Sequence, residues 1–369
     1  MKKLFLSVTI ILLISYGVFA QSNTSTGSTF NPAIKVKGLI HTRYEQSFTD
    51  SVDVQGKFNA DPVQSNFRIR RLELRADITL NEHWSGVIRI QIPDFKTSTP
   101  GKAMELAYFE YKYNDQFKVR GGQFKAPMEL DELTSHEDLR MIDRGTLSKL
   151  WLNNYYTSYQ PGLMVFGTFL KDKTPLSYYA GVFNGSDRGV AYDINSQKNF
   201  AGRLEFTPVK GLRLAVNGQT AGIDKGITGG TAGADISFIH DLSSKLNLIV
   251  EGEYISGTNV VNYSSSTDTA KELNNFKMAG YFGQALLRIK LEKPWCKTFE
   301  IGGKYENTDP SNFNENDAYS TITGGIGLIF LPDNDARLQL NVVQTNYEKE
   351  IAGSQKNNTM FVAQLQLKI

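Results

Sequence analysis

Apolar and polar residues alternate from residue 33 to residue 45, with the period expected of a β-strand. One parity carries Lys35, Lys37, His41, Arg43 and Glu45, and the other is mostly aliphatic. In a soluble sheet, the aliphatic face would pack on a core and the ionic face would meet bulk water. In a membrane barrel, the aliphatic face would meet lipid and the ionic face would line a water-filled lumen. One strand does not distinguish these two structures.

The same alternation recurs along the chain and predicts sixteen strands. Most of them place charged side chains on one face and aliphatic or aromatic side chains on the other. The segments 163–169 and 176–183 are less clear, because they are apolar on both faces. The predicted strands are 33–45, 71–80, 84–92, 106–113, 117–121, 163–169, 176–183, 200–206, 212–220, 232–238, 246–254, 281–290, 299–306, 321–330, 337–345 and 359–369.

The connections between these strands alternate strictly between short and long. The short turns are 81–83, 114–116, 171–175, 207–211, 241–245, 292–297 and 332–335. The long connections are near 46–65, 93–103, 124–159, 184–198, 222–230, 257–277, 307–318 and 346–358. An outer-membrane barrel has an even strand number, short periplasmic turns and long external loops. A soluble all-β protein or repeat array gives no reason for this alternation. The pattern therefore predicts an all-β, 16-stranded antiparallel transmembrane barrel with its aliphatic parity toward lipid.

The N-terminus has the features of an export signal. Lys2 and Lys3 precede an apolar run at 4–14, and Ala20 ends a segment suited to signal peptidase. The alternative, a membrane anchor, is less favoured because the run is short for a spanning helix. We expect residues 1–20 to be removed, 21–32 to form a short periplasmic segment and 33–369 to form the barrel. A mean hydropathy of −0.31 argues against a helical membrane protein.

Charge and cysteine content add little to this prediction. Without Lys2 and Lys3 the chain has 38 basic and 38 acidic residues, so any electrostatic preference depends on their positions. Cys296 is the single cysteine, so no internal disulfide is expected. The four histidines form no pair with metal-ligand spacing and no convergent Ser–His–acid set. We therefore expect no enzyme activity, no cofactor, no metal site and no nucleic-acid partner.

Several segments resemble the phosphate-selective porin O and P family. They are FRIRRLELRADITL (67–80), HWSGVIRIQI (83–92), AYFEYKYNDQFKVRGGQFKAPMELDELTS (107–135), AGVFNGS (180–186) and NFAGRLEFTP (199–208). The resemblance implies a sixteen-stranded barrel, usually a homotrimer, that passes anions through a pore lined by arginine and lysine. It also implies a third external loop that folds inward to form the constriction. Here the third long connection, about 124–159, is the longest.

The family's pore-lining arginines correspond to the FRIRR motif in this sequence. Phe67 and Ile69 share one parity, whereas the apolar residues from Leu72 onward share the other. A β-bulge near Arg70 and Arg71 would turn the arginines of this motif toward the lumen. The alternative is a strand that begins at Arg71, with the earlier residues in a loop. The candidate pore-lining and anion-binding residues are Arg43, Arg68, Arg70, Arg71, Arg75, Arg89, Arg120 and Lys125.

The third loop is net acidic, which is unexpected beside a phosphate-selective wall. Its candidate constriction residues are Glu129, Asp131, Glu132, Arg140 and Arg144. Ser135 and Asp138 predict the start of a short helix that ends near Arg144. We expect the wall arginines to outweigh loop acids that cap helices or pair with Arg140 and Arg144.

The pattern and the resemblance together favour an outer-membrane porin. It would admit small hydrophilic solutes by passive diffusion and prefer anions, with phosphate as a candidate solute. Its expected partners are outer-membrane lipid, small anionic or neutral solutes and two further copies of the chain. The alternative is a non-conducting barrel that acts as an adhesin or assembly partner through polar external loops such as 257–277.

Overall fold

A computed structural model describes residues 31–96, 100–157, 159–186, 196–224, 226–267, 272–312 and 316–369. The predicted signal peptide and most of the predicted periplasmic segment lie outside these residues. The described chain forms sixteen antiparallel strands. They are β1 (Ala33–Ser47), β2 (Ser65–Thr79), β3 (Trp84–Gln91), β4 (Met104–Lys112), β5 (Lys118–Lys125), β6 (Tyr159–Phe169), β7 (Leu176–Phe183), β8 (Asn199–Val209), β9 (Leu212–Asp224), β10 (Ile227–Asp241), β11 (Leu246–Thr258), β12 (Lys277–Lys290), β13 (Thr298–Asp309), β14 (Tyr319–Ile329), β15 (Ala336–Tyr347) and β16 (Asn358–Lys368).

The sixteen strands close into one barrel, as the sequence predicts. Each strand pairs with its neighbours in chain order, and β1 pairs with β16 from Leu39 opposite Lys368 to Ser47 opposite Met360. Closure leaves no strand edge with unpaired N–H and C=O groups, which a spanning sheet requires in lipid. The two unclear segments are wall strands, β6 and β7.

Among the described residues, no helix is both long enough and apolar enough to span a bilayer.

The two parities of each strand separate as the alternation predicts. On β1, the side chains of His41, Arg43 and Glu45 point inward and are no more than 3% exposed. Val36 and, on β2, Phe67 point outward and are 73% and 80% exposed. The ionic parity therefore lines the lumen, and the aliphatic and aromatic parity forms the outer face.

The FRIRR motif contains a β-bulge. His41 pairs with Arg71 and Thr42 pairs with Ile69, so Arg70 is the extra residue on β2. The bulge prediction is confirmed, and the alternative start at Arg71 is wrong because β2 begins at Ser65. Because of the extra residue, Arg68 before the bulge and Arg71 after it both lie opposite inward residues of β1. Arg68, Arg70 and Arg71 are therefore all on the lumen side.

A second bulge, on β4, was not predicted from the sequence. Arg89 pairs with Leu106 and Ile90 pairs with Met104, which leaves Glu105 as the extra residue. Its side chain is 2% exposed and points inward. Each bulge thus adds one charged side chain to the lumen wall that a regular strand would not place there.

The short turns use residues that accept a left-handed backbone. Gly211, between β8 and β9, has φ +88°, and a Cβ there would lie 2.2 Å from the carbonyl oxygen of Ile239. Asp333 and Asn334, between β14 and β15, have φ 54° and 61°. Asn and Asp tolerate this region better than other non-glycine residues, so the turn tightens without glycine.

The third long connection folds into the barrel. It contains α1 (Leu130–Leu133), one 3-10 turn (His136–Asp138) and α2 (Thr146–Asn153); a further short helix, α3 (Val260–Ser265), follows β11. The predicted helix from Ser135 to Arg144 is wrong, because only the 3-10 turn forms there. The Ser135 side chain accepts no capping hydrogen bond from a backbone N–H, and the chain beyond Asp138 instead extends along the barrel wall.

Adjacent residues on β15 test the assignment of the two faces. Val342 is 48% exposed on the outer face, whereas Val343 lines a cavity inside the barrel. Val342→Arg should lower the free energy of unfolding by about 2–4 kcal/mol, because the charge would enter hydrocarbon near mid-strand. Val343→Arg, the matched control, should cost much less. Urea unfolding from lipid vesicles measures both, and equal losses would contradict this register.

Candidate functional site

The third loop packs an apolar core against one half of the barrel. Its buried residues include Met128, Leu147, Trp151 and Tyr156. They contact buried wall residues on β6 to β12, namely Met164, Phe166, Phe183, Ala201, Ala221, Ile255, Met278 and Phe282. Burial of this apolar surface is the main favourable contribution to holding a loop in place. One half of the lumen is consequently filled by protein.

Wall residues make specific room for helix α2. A Cβ on Gly280 of β12 would lie 2.3 Å from the Cδ1 atom of Leu147, so the glycine permits this close approach. The Trp151 Nε1–H donates a hydrogen bond to Thr231 Oγ1 at 2.8 Å. The Tyr156 hydroxyl donates to the carbonyl oxygen of Thr258 at 3.0 Å. The large aromatic side chains of the loop are therefore both buried and hydrogen-bonded.

Acidic residues of the loop pair with basic residues of the wall. Arg43 on β1 donates two hydrogen bonds to the Asp143 carboxylate, at 2.7 and 2.9 Å. Lys304 on β13 forms an ion pair with Asp131. These bonds neutralise loop acids that would otherwise make the constriction negative.

Basic residues of the loop have partners too. Arg140 donates two hydrogen bonds to Glu251 on β11, at 2.9 and 3.2 Å. The prediction that Arg140 pairs with a loop acid is therefore wrong, because the extended chain brings it to the wall. Arg144 lies 3.5 Å from Glu132, a pairing within the loop as expected. Charged residues of the loop thus pair with wall residues as well as with each other.

The loop extends to the rim that carries the short turns. Arg337, near the start of β15, donates to the carbonyl oxygen of Leu139 at 2.9 Å. Asn334, in the turn before β15, donates to Asp138 at 3.4 Å. Asp138 and Asn334 also line a cavity of about 390 Å³ at this rim. The third loop therefore descends through the barrel and does not remain near the long-loop rim.

Glu73, Glu105 and His136 converge where the loop meets β2 and β4. One potential ligand atom from each lies within 4.8 Å of the others, and the His136 Nδ1 atom is 2.5 Å from Glu73. This group was not predicted from the sequence, because Glu105 is a bulge residue. Arg71 and Arg89 lie 3.7 Å from the Glu73 carboxylate and would oppose a cation. The contact between His136 and Glu73 joins the third loop to β2.

Seven of the eight candidate basic residues have a carboxylate partner. The pairs are Arg43–Asp143, Arg68–Glu45, Arg71–Glu73, Arg75–Asp77, Arg89–Glu105, Arg120–Glu110 and Lys125–Glu132. Arg120 also stacks over Tyr108 at 4.4 Å from the ring centroid. Lys125 lies within the contact between loop and wall. A paired charge adds little to the long-range field in the pore, because its partner cancels most of it.

Arg70, the bulge residue, is the exception. Its guanidinium makes no hydrogen bond or ion pair with the described residues, and it lines a cavity of about 500 Å³ on the long-loop side of the third loop. The side chains of Lys57 and Lys149, which line the same cavity, are also without such partners among those residues. Six basic and three acidic residues line this cavity. Lys57 and Lys149 were not among the predicted anion-binding residues, because nothing local in the sequence indicates that loops 1 and 3 meet.

Two loop carboxyls titrate far from their ordinary values. Burial, together with the neighbouring Asp131 and Glu132, raises the pKa of Glu129 to about 8. Burial alone would raise the pKa of Asp143, but the charge and hydrogen bonds of Arg43 hold that pKa well below its ordinary value. Burial therefore favours the neutral form of Glu129, whereas Asp143 is ionised against Arg43. The loop carries less free negative charge than its sequence suggests.

Comparison with known proteins identifies the family. The family model described as phosphate-selective porin O and P matches residues 43–239, more than half of the chain. The chain belongs to this family. The resemblance inferred from the FRIRR and neighbouring segments is confirmed. This porin is an outer-membrane channel, and its family and fold are those of a channel rather than an enzyme. No curated protein matches the chain.

Solved structures share the fold at low sequence identity. The outer membrane channel DcaP of Acinetobacter baumannii is 14% identical, with a TM-score of 0.59 over 94% of this chain and all of that one. An anion-selective porin from Comamonas acidovorans is 11% identical, with a TM-score of 0.58 over 92% and 100% of the two chains. The trimer form of OmpT from Vibrio cholerae is 10% identical, with a TM-score of 0.56 over 92% and 100%.

The Arg140–Glu251 pair should control how firmly the loop is held. Arg140→Gln leaves Glu251 buried without its cation, which costs on the order of 3 kcal/mol. Limited proteolysis of the porin in vesicles should then cut within 124–159 about a hundredfold faster, because local opening limits cleavage. Arg213→Gln, which breaks wall–wall contacts only, is the control. Equal cleavage of the two variants would show that this pair does not anchor the loop.

Proposed function

We propose that this porin is a passive diffusion channel for small hydrophilic solutes that prefers anions. The observation that carries the proposal is that the side chains of Arg70, Lys57 and Lys149 form no hydrogen bond or ion pair within the described chain. They border one cavity, where six basic residues exceed three acidic ones, so its lining has an excess of positive charge. A low-dielectric wall concentrates such a field and raises the local concentration of anions.

The solute path follows the side of the lumen that the loop leaves open. The loop core occupies the half formed by β6 to β12, whereas the cavity is lined by residues of β1, β2 and β13 to β16. Met141 and Ile142 border this cavity, and Asp138 borders the cavity at the opposite rim. The segment 138–142 is therefore the narrow region that a solute passes. The candidate constriction residue Arg140 lies within it.

Anion preference follows from the balance of charges along this path. Glu45, Asp143 and Glu306 line the cavity, but the first two are paired with arginines and Glu306 is paired with Lys304. Arg43, Arg68, Arg71 and Arg75 act mainly as partners of acids, and Arg70 supplies free charge. Inorganic phosphate is a candidate solute, supported by the family and by this excess of positive charge.

Export and assembly are proposed on separate grounds. The N-terminal pattern supports cleavage after Ala20, and Edman sequencing of the mature protein should then start at Gln21. The trimer form of the OmpT structure supports a homotrimer here, which native mass spectrometry of the detergent-solubilised porin tests. A sole monomer peak would contradict the homotrimer.

Ion selectivity in a planar bilayer tests the proposed function. In a tenfold KCl gradient, the reversal potential of the wild-type channel should indicate anion preference. Arg70→Gln and Lys149→Gln should each reduce the anion-to-cation permeability ratio about fourfold, because loss of one positive charge at about 10 Å in water disfavours the anion and favours the cation by ~0.4 kcal/mol each.

The matched control is the double variant Arg75→Gln/Asp77→Asn. It removes both members of one ion pair and leaves the net charge of the wall unchanged, so it should change the ratio less. A wild-type channel that favours cations would overturn the proposed anion preference. A barrel without conductance would favour the adhesin or assembly role.

A further inference from the structure

The cavity beside Arg70 has an apolar wall as well as a basic one. Val343 on β15 and Met360 and Val362 on β16 line it. Met141 and Ile142 of the third loop and Val54 of the first loop also line it. Alternation along β16 continues the same inward row with Gln364 and Gln366, so Met360 and Val362 are lumen residues and do not belong to the lipid face.

This apolar wall is unexpected in a water-filled channel, whose interior is normally polar. It does not belong to the loop core, because that core lies on β6 to β12. Met360 and Val362 are 8% and 7% exposed and Val343 is half-buried, so these side chains present part of their surface to the cavity that the basic side chains also line. Hydrated inorganic ions gain nothing from such a surface, whereas hydrocarbon does.

The two walls lie at a separation suited to a small molecule. Arg68 pairs with Arg43, and Val362 pairs with Glu45, on the two sides of β1. Strands β2 and β16 are therefore two strand spacings apart, about 10 Å. The cavity of about 500 Å³ is within the usual range for small-molecule sites, which combine apolar walls with a few charged groups.

We propose that this cavity binds small amphiphilic organic anions, carboxylates that carry a short hydrocarbon body. Arg70 and Lys149 hold the carboxylate, and Val343, Met360 and Val362 cover the hydrocarbon. The proposal rests on the proposed anion preference for the presence of an anion here. It goes beyond that preference in naming the solute class, because phosphate would leave the apolar wall uncovered.

Hexanoate and acetate provide a matched pair of probes with the same charge. Isothermal titration calorimetry of the porin in a non-ionic detergent should show hexanoate binding about tenfold or more tightly than acetate, since each buried methylene adds to the affinity. Arg70→Gln should weaken both ligands by the same factor. Equal affinities of wild-type protein for hexanoate and acetate would overturn the proposal.

Substitution of valine by threonine, which has nearly the same shape, tests whether the apolar wall is the surface that binds the hydrocarbon. The double variant Val343→Thr/Val362→Thr should reduce the preference for hexanoate to about threefold or less and leave acetate binding unchanged. The control Val342→Thr/Ala363→Thr changes the outer face of the same two strands and should retain the full preference. If the inner double variant fails to fold, Met360→Gln replaces it. Undiminished hexanoate binding by a folded inner variant would place the hydrocarbon elsewhere and overturn the proposal.

The two proposals fail in different ways. An anion-selective channel with no preference for hexanoate would refute the amphiphilic site and leave the proposed function intact. A cation-selective channel would refute the proposed function, and the calorimetric comparison would still decide the binding site without reference to conductance.

Discussion

Backbone hydrogen bonding in lipid is the constraint on which the rest of this structure depends. A strand edge exposed to hydrocarbon would leave N–H and C=O groups unpaired, so the sheet must close on itself. Here β1 meets β16 and completes the barrel. Sixteen strands enclose a lumen wide enough for a second layer of protein inside it. The third loop occupies part of that space, and its position decides what remains for solutes.

Two kinds of interaction hold the loop. Apolar packing around Trp151 and Leu147 fixes it to β6 to β12. Ion pairs fix it to both sides of the lumen, through Glu251 on β11 and through Arg43 on β1. Because the apolar packing lies on one side only, the open cavity lies beside β1, β2 and β16.

Most charged side chains in this pore are paired with other charged side chains of the protein. The wall is rich in arginine, but acids on the wall and loop bind most of the arginine side chains. Arg70 escapes this cancellation because a bulge inserts it between two regular inward positions, where no strand neighbour is in register to supply an acid. Counting basic residues on the lumen face therefore overstates the field, and their partners have to be known before selectivity can be inferred.

The sequence by itself determined the strand number, the strand order and the faces of the wall, whereas the inward third loop was implied by the resemblance to the porin family. Alternation and connection length are local properties of a chain, and lipid imposes them strand by strand. The sequence also indicated the bulge at Arg70, because the apolar residues change from one set of alternate positions to the other there. It did not reveal the bulge at Glu105, where polar and apolar residues give no such slip before the predicted strand.

Only the tertiary structure decided which charges remain free and where the apolar cavity wall lies. Asp143 is 100 residues from Arg43, and Glu251 is 111 residues from Arg140. Such partners depend on the path of the loop, which follows from how its apolar residues pack inside the barrel. Alternation places Met360 and Val362 on the inward row of β16, but only the fold brings them to the cavity that Arg70 also lines. The sequence specifies the chemical type of each side chain. Packing across the whole lumen determines which side chains become its neighbours.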